Sequence, residues 1–173
     1  MCGNAWCLHD DLSAARKVKE LREAPVIGVN GSSRNTKLDF LFTQLHQDKL
    51  PQWIKYQKSW FHSDFTVHSN GDGSEASKYK WVNYWWQGVA GRGTSTWAAR
   101  KVAKLMGFAP VILCGAPLSV GGYCGRELNA RHFLHEPSLE FYREGVLQDV
   151  EWHNDVFSMS GWTREFFGEP VYL

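Results

Sequence analysis

An α/β fold with a largely parallel sheet is what this chain predicts, and three observations predict it. Short apolar runs without alternation, PVIGVN at 25–30 and PVILCG at 110–115, read as strands buried on both faces. Between such runs lie stretches whose apolar residues recur every three or four positions, as along one face of a helix. The two kinds of stretch alternate within 173 residues, a length that suits one domain with a sizeable core.

Taken in order, Asp10 and Asp11 precede LSAARKVKELRE, a helical pattern whose dipole favours acidic residues at its start. PVIGVN is a strand and GSSRNTK its turn. LDFLFTQLH then reads as a second apolar strand, and a helix starts at Pro51 in LPQWIKYQKSW. DFTVH alternates like a strand. HSNGDGSEASK, 68–78, is a polar Gly/Ser-rich loop, expected to be mobile. Past the aromatic run YKWVNYWW, Thr94 or Ser95 caps a helix whose Ala98, Val102 and Leu105 share a face and which Gly107 stops. PVILCG follows as a strand. RELNARHFLHEPSLEFYREG reads as one or two helices, with Pro137 opening the second. DVFSMSGWTREFFGEP closes as a strand and a short helix, for which Ser160 with Thr163 reads as the cap.

Composition narrows the function classes. A net charge of +1 and 43% apolar residues describe an ordinary soluble protein without the basic stripe that nucleic-acid binding requires. No apolar run approaches the roughly 20 residues that span a bilayer, so no membrane association is expected. The start, MCGNAWCLHDD, has no basic n-region and no long apolar h-region, so no signal peptide is expected. Four cysteines, at 2, 7, 114 and 124, make neither C-x-x-C nor a metal set with histidines, and read as reduced thiols of a cytoplasmic protein. Nine tryptophans favour core or interface area, and 79–86 is the segment through which a homo-oligomer or a protein partner would form.

In open α/β sheets, ligands sit beyond the carboxyl ends of strands. The segments CGNAWC, VNGSS, GRGTST and CGAPLSVGG are such ends, each joining glycine to a hydrogen-bonding residue. They nominate Gly3, Asn4, Asn30, Gly31, Ser32, Arg92, Gly93, Thr94, Ser95 and Gly115 as ligand-binding residues. Free N–H groups at a helix start, with hydroxyls and Arg92 alongside, would make an anion-binding corner. Yet G-R-G-T-S is neither a Walker A loop nor G-x-G-x-x-G, and alone it reads equally as a capped helix entered through a tight loop. His46, beside Asp48 and Lys49 at the end of a strand, suits a general base or a phosphate donor, and a surface histidine equally. Arg126, after GGYCG, could reach a phosphate or simply start a helix. His9 adjoins the capping aspartates, and His132 and His135 sit on a helical pattern and read as structural. No Asp-x-Asp follows a strand, so a metal-bridged nucleotide-sugar mechanism lacks obvious ligands and no metal is expected.

Together these segments resemble a known arrangement. CGNAWCLHDDL is similar to the G-N-G-P-S-L loop that opens bacterial sialyltransferases and the related motility-accessory-factor and archaeal hydroxymethylpterin pyrophosphokinase-like domains. VNGSS is similar to their Asn-bearing strand end, and GTSTWAARKVAKLMGFAPVILCGAPL to their G-[TS]-S helix and following strand. LHQDKLPQW and the ending SMSGWTREFFGEP also resemble segments of small proteins of tailed phages and prophages. The first resemblance implies a three-layer Rossmann-like domain holding a nucleotide, with Gly3, Asn4, Asn30, Gly93, Thr94 and Ser95 as contacts. The second implies a place in the host cytoplasm or on the virion. Four departures stand against the first: only Met1 and Cys2 precede Gly3, Trp6 occupies a loop position where a ligand would lie, Gly-Ala-Pro replaces Gly followed by an acid, and the family's catalytic histidine has no motif match.

Two functions follow as expectations. One is a metal-independent glycosyl- or nucleotidyl-transferase, in which Asn4, Asn30, Thr94 and Ser95 hold ribose and phosphate. Arg92 or Arg126 would then steady leaving-group charge, with His46 as base. The other is a non-catalytic accessory or structural protein that sequesters a nucleotide or docks on a partner. An exposed aromatic run favours the second; a ring-lined pocket beside Gly93 favours the first.

Overall fold

Strands β1, Ile27–Val29, and β5, Val111–Leu113, are buried along their whole length, as apolar runs covered on two sides must be. The computed structural model describes residues 1–44, 46–89, 94–122, 124 and 136–170. Strand β1 pairs in parallel with β2, Phe40–Thr43, which pairs with β3, Thr66–Asn70, and that with β4, Tyr84–Trp86. Strand β5 pairs in parallel with β6, Val156–Ser158. Cys2 joins the two groups, bridging Gly28 on one side and Cys114 on the other. Its N–H donates to Ile27 O at 2.7 Å, and the N–H of Gly3 donates to Cys114 O at 2.8 Å. The sheet therefore runs β6, β5, Met1–Gly3, β1, β2, β3, β4. The short stretch before Gly3 fills the position between β5 and β1 instead of leaving it vacant.

Neighbouring residues along each strand enter different cores. Leu41 and Ile112 join Leu8 of helix α1, Leu8–Ala15, and Leu50 and Trp53 of α2, Leu50–Trp60. Phe42, Val111 and Leu113 join Ala98, Ala99 and Val102 of α3, Ser95–Leu105, on the opposite face. The result is a three-layer, Rossmann-like α/β arrangement, completed by α4, Glu136–Leu147, and α5, Gly161–Phe167.

Several sequence expectations shift in detail. Helix α1 begins at Leu8, so Asp10 and Asp11 lie within its first turn, and Asp11 is buried. The buried face of α3 is set by the small residues Ala98, Ala99, Val102 and Ala103, and Leu105 in the last turn is 53% exposed. Strand β2 ends at Thr43, and His46 precedes a 3-10 turn, Gln47–Lys49, instead of closing a strand. Strand β3 runs through His68 to Asn70, because His68, Ser69 and Asn70 pair with Tyr84, Trp85 and Trp86. The polar loop starts only after it. Ser160 does precede α5 but makes no side-chain cap, since its hydroxyl is bonded to Asp11.

Candidate functional site

Chain order reverses at the centre of this sheet. From Met1–Gly3 the strands β1 to β4 step outward one way, and β5 and β6 lie on the other side. Loops leaving a reversal point in opposite directions open a crevice at the carboxyl ends. A cleft of about 790 Å³ lies there, and Asn4, Asn30, Gly31, His46, Thr94, Ser95 and Gly115 all line it. Residues from distant segments thus meet in one place. Arg92, Gly93 and Arg126 lie outside the described residues, as do His132 and His135.

Each lining residue has a local reason for its position. Asn30 takes a left-handed backbone, φ 50°, as β1 passes into a 3-10 turn, Asn30–Arg34. Its Oδ1 is buried without a partner. Asn4 accepts from Asn35 Nδ2 through Oδ1 at 2.8 Å, which leaves Asn4 Nδ2 facing the Gly31 position. Thr94 is the N-cap of α3, its Oγ1 accepting from Trp97 N–H at 3.3 Å. The N–H groups of Ser95 and Thr96 begin the helix, where no intrahelical acceptor exists.

Two nominated glycines do structural work. A Cβ on Gly3 would come within 2.3 Å of Gly115 O and 3.2 Å of Thr96 Oγ1, so Gly3 lets three segments meet behind the cleft. Gly115 turns with φ +62°, and its N–H is committed to the carboxylate of Asp11 at 2.8 Å. It forms wall and offers no amide to a ligand. Ser32 is likewise withdrawn: it is fully buried, its Oγ accepting from Val29 N–H at 2.7 Å.

Asp11 therefore brings an acid to the glycine end of β5 from a different part of the chain. It also accepts from Ser160 Oγ at 2.7 Å, and Ser160 in turn lies 3.1 Å from Cys7 Sγ. Burial pushes the Cys7 thiol up to about 12, so it stays protonated at neutral pH. The opposite side of α3 is fixed by Asp149, which accepts from Trp97 Nε1 at 2.8 Å and pairs with Lys101 at 2.7 Å. Arg100 lies 3.5 Å over the Trp97 ring and donates to Trp152 O, and burial pulls its guanidinium down to about 9.

Arg34, Lys49, Trp53, Phe141 and Tyr142 also line the cleft, and sequence reasoning did not select them. Among the described lining residues there is no carboxylate. His46 is exposed at this wall, its ring edge-on to Trp53 at 6.4 Å. Desolvation of its ring beside Trp53, and secondly the Lys49 charge, hold its imidazole below its ordinary value, which favours the neutral form. Trp6, 52% exposed, stands at the rim against Gly121. With Phe141 and Tyr142 it gives the cleft aromatic faces suited to stacking.

The segment 79–86 lies elsewhere. Tyr84 and Trp86 stack on His68 at 4.9 and 6.0 Å, while Trp81 and Tyr84 remain 44% and 53% exposed beside the sheet edge. Among the described residues no group of three or more His, Cys, Asp or Glu could hold a metal ion. No described helix is long and apolar enough to cross a membrane. In comparisons with known proteins, no family model, no curated protein and no solved structure matches this chain.

Proposed function

We propose that this protein binds a nucleotide or nucleotide-sugar in the cleft at the sheet reversal and acts on it as a metal-independent transferase. One observation carries the reading: Asn4, Asn30, Thr94, Ser95 and His46, chosen from separate segments, line a single cleft that has Arg34 and Lys49 but no carboxylate among its described lining residues. A cleft of that charge favours an anion. Asn30 Oδ1 is an acceptor without a donor, which a ribose or sugar hydroxyl would supply. Aromatic rings at the other wall offer a base a stacking surface. His46, exposed at this wall and shifted towards its neutral form, would take a proton from an acceptor hydroxyl.

The test is thermal unfolding against nucleotides, nucleotide-sugars and cyclic nucleotides, with and without magnesium. A ligand at about 100 times its dissociation constant adds roughly 2.7 kcal/mol, a rise of roughly 5–10 °C. A hit that is independent of magnesium supports the reading. Turnover of a nucleotide-sugar that is lost in His46→Ala separates the transferase from a passive binder. No shift across the panel refutes it.

A second reading, a non-catalytic protein that docks on a partner or on itself, is favoured by the exposed Trp81 and Tyr84 at the sheet edge. Sedimentation of the wild type and of a Trp81→Ser, Tyr84→Ser variant tests it. An unchanged monomer in both removes self-association.

A further inference from the structure

We infer that the cleft wall built by Arg34, Lys49 and Trp53 is a phosphate subsite, separate from the start of α3. The inference rests on the nucleotide reading for the identity of the molecule that carries the phosphate.

Charge is the first observation. Arg34 closes the 3-10 turn after β1, and Lys49 closes the 3-10 turn before α2, so different parts of the chain bring two cations to one wall. Among the described lining residues there is no carboxylate to offset that charge. A guanidinium fork and an ammonium suit a phosphate, which offers both negative charge and several acceptor oxygens.

Unused donors are the second. Arg34 Nε and Trp53 Nε1 are buried and meet no acceptor. Trp53 lines the cleft although only 2% of it is exposed, so its N–H is withdrawn from solvent. A buried donor without an acceptor is costly, and because Arg34 and Trp53 both line this wall, a small side-chain shift on seating an oxygen-rich group there would remove that cost. Asn30 Oδ1 is the complementary case, a buried acceptor without a donor at the start of the same turn as Arg34. A phosphate joined to a hydroxyl-bearing sugar presents acceptors to the one and a donor to the other.

Position is the third. Arg34 is held 5.9 Å from the Tyr56 ring, and its Nη2 reaches to 4.0 Å from the place a Cβ on Gly31 would occupy. The guanidinium therefore lies along the turn at the cleft wall. Thr94 and Ser95 belong to a different element, so the cleft has two anion-attracting walls.

Calorimetric titration of the full chain distinguishes the sources of the phosphate. The probes are the four common ribonucleosides, their mono- and diphosphates, and inorganic pyrophosphate. The variants are Arg34→Gln, Lys49→Gln and Trp53→Phe. Lys49 is exposed, so its variant retains the fold even if the other two do not. The expected result is that phosphorylated probes bind more tightly than nucleosides. Lys49→Gln and Arg34→Gln should each weaken them about ten-fold, leaving nucleoside affinity unchanged. Pyrophosphate binding that shows the same losses while no nucleotide binds keeps the subsite and refutes the nucleotide reading. Nucleotide affinity unchanged in both cation variants overturns the subsite and leaves that reading intact. Absence of binding by every probe overturns both.

Discussion

Asp11 is the residue whose replacement tests the construction of the cleft most directly. One carboxylate oxygen, Oδ2, accepts from Gly115 N–H at 2.8 Å and from Ser160 Oγ at 2.7 Å, and Asp11 is only 5% exposed. Hydrogen bonds to a charged buried group are worth about 1.5–3 kcal/mol each. In Asp11→Ala the Ser160 hydroxyl retains Cys7 Sγ, 3.1 Å away, as a partner, whereas the Gly115 amide is left buried and unpaired. The expected loss is therefore about 3 kcal/mol, below the sum for two charged bonds. Asp11→Asn can place its Oδ1 where Oδ2 was and keep both bonds at about half strength, for a loss of about 1.5 kcal/mol. Urea unfolding at pH 7 measures both, provided the slope with denaturant is unchanged. A chain of this size should melt roughly 10 °C lower in the alanine variant. Equal stabilities for the two variants, or an alanine variant as stable as wild type, would refute the idea that this oxygen anchors the β5 loop.

Two other perturbations follow from the same kind of accounting. His68 is 3% exposed, bonds Thr66 Oγ1 through Nε2 at 2.8 Å and accepts Trp86 Nε1–H at its Nδ1, so burial lowers its folded value to about 4. A folded value below the unfolded one stabilises fully above the unfolded value and fades as pH falls through the folded one. Between pH 7.5 and 4.5 the wild type should therefore lose about 2.5 kcal/mol more than His68→Gln, and parallel pH profiles would contradict this. Asp149→Ala strands Lys101, 5% exposed, beside the buried Arg100 and should cost about 3–5 kcal/mol in urea unfolding. Adding Lys101→Met should recover most of that loss; an additive double variant would show that the pair does not interact.

How much was readable beforehand depended on how far each determinant reaches along the chain. Uniform apolar runs identified β1 and β5 because burial on both faces is a local pattern. The cap at Thr94 and the stop near Gly107 were local too. The end of β2 was not, since Leu45 prolongs the apolar pattern of LDFLFTQLH past Thr43, where the strand ends. Nor could the run itself show that His68 and Asn70 pair with β4, because pairing is decided by a segment some 15 residues away.

The cleft divides along the same line. Its glycines and asparagines were visible as strand-end residues, but Asp11 serves Gly115 from 104 positions away and was assigned only to a helix dipole. Asp149 likewise meets Lys101 and Trp97 across the fold, a contact that no spacing rule encodes. Arg34 is the instructive exception. Within the 3-10 turn Asn30–Arg34, Gly31 and Arg34, three apart, share the cleft face, while Ser32 and Ser33 are fully buried. Reading VNGSS as a strand end and GSSRNTK as the turn after it nominates Ser32 as a ligand contact and passes over Arg34. Treating it as one 3-10 turn reverses both assignments, and that reversal puts Arg34 on the wall where an anionic ligand would be held.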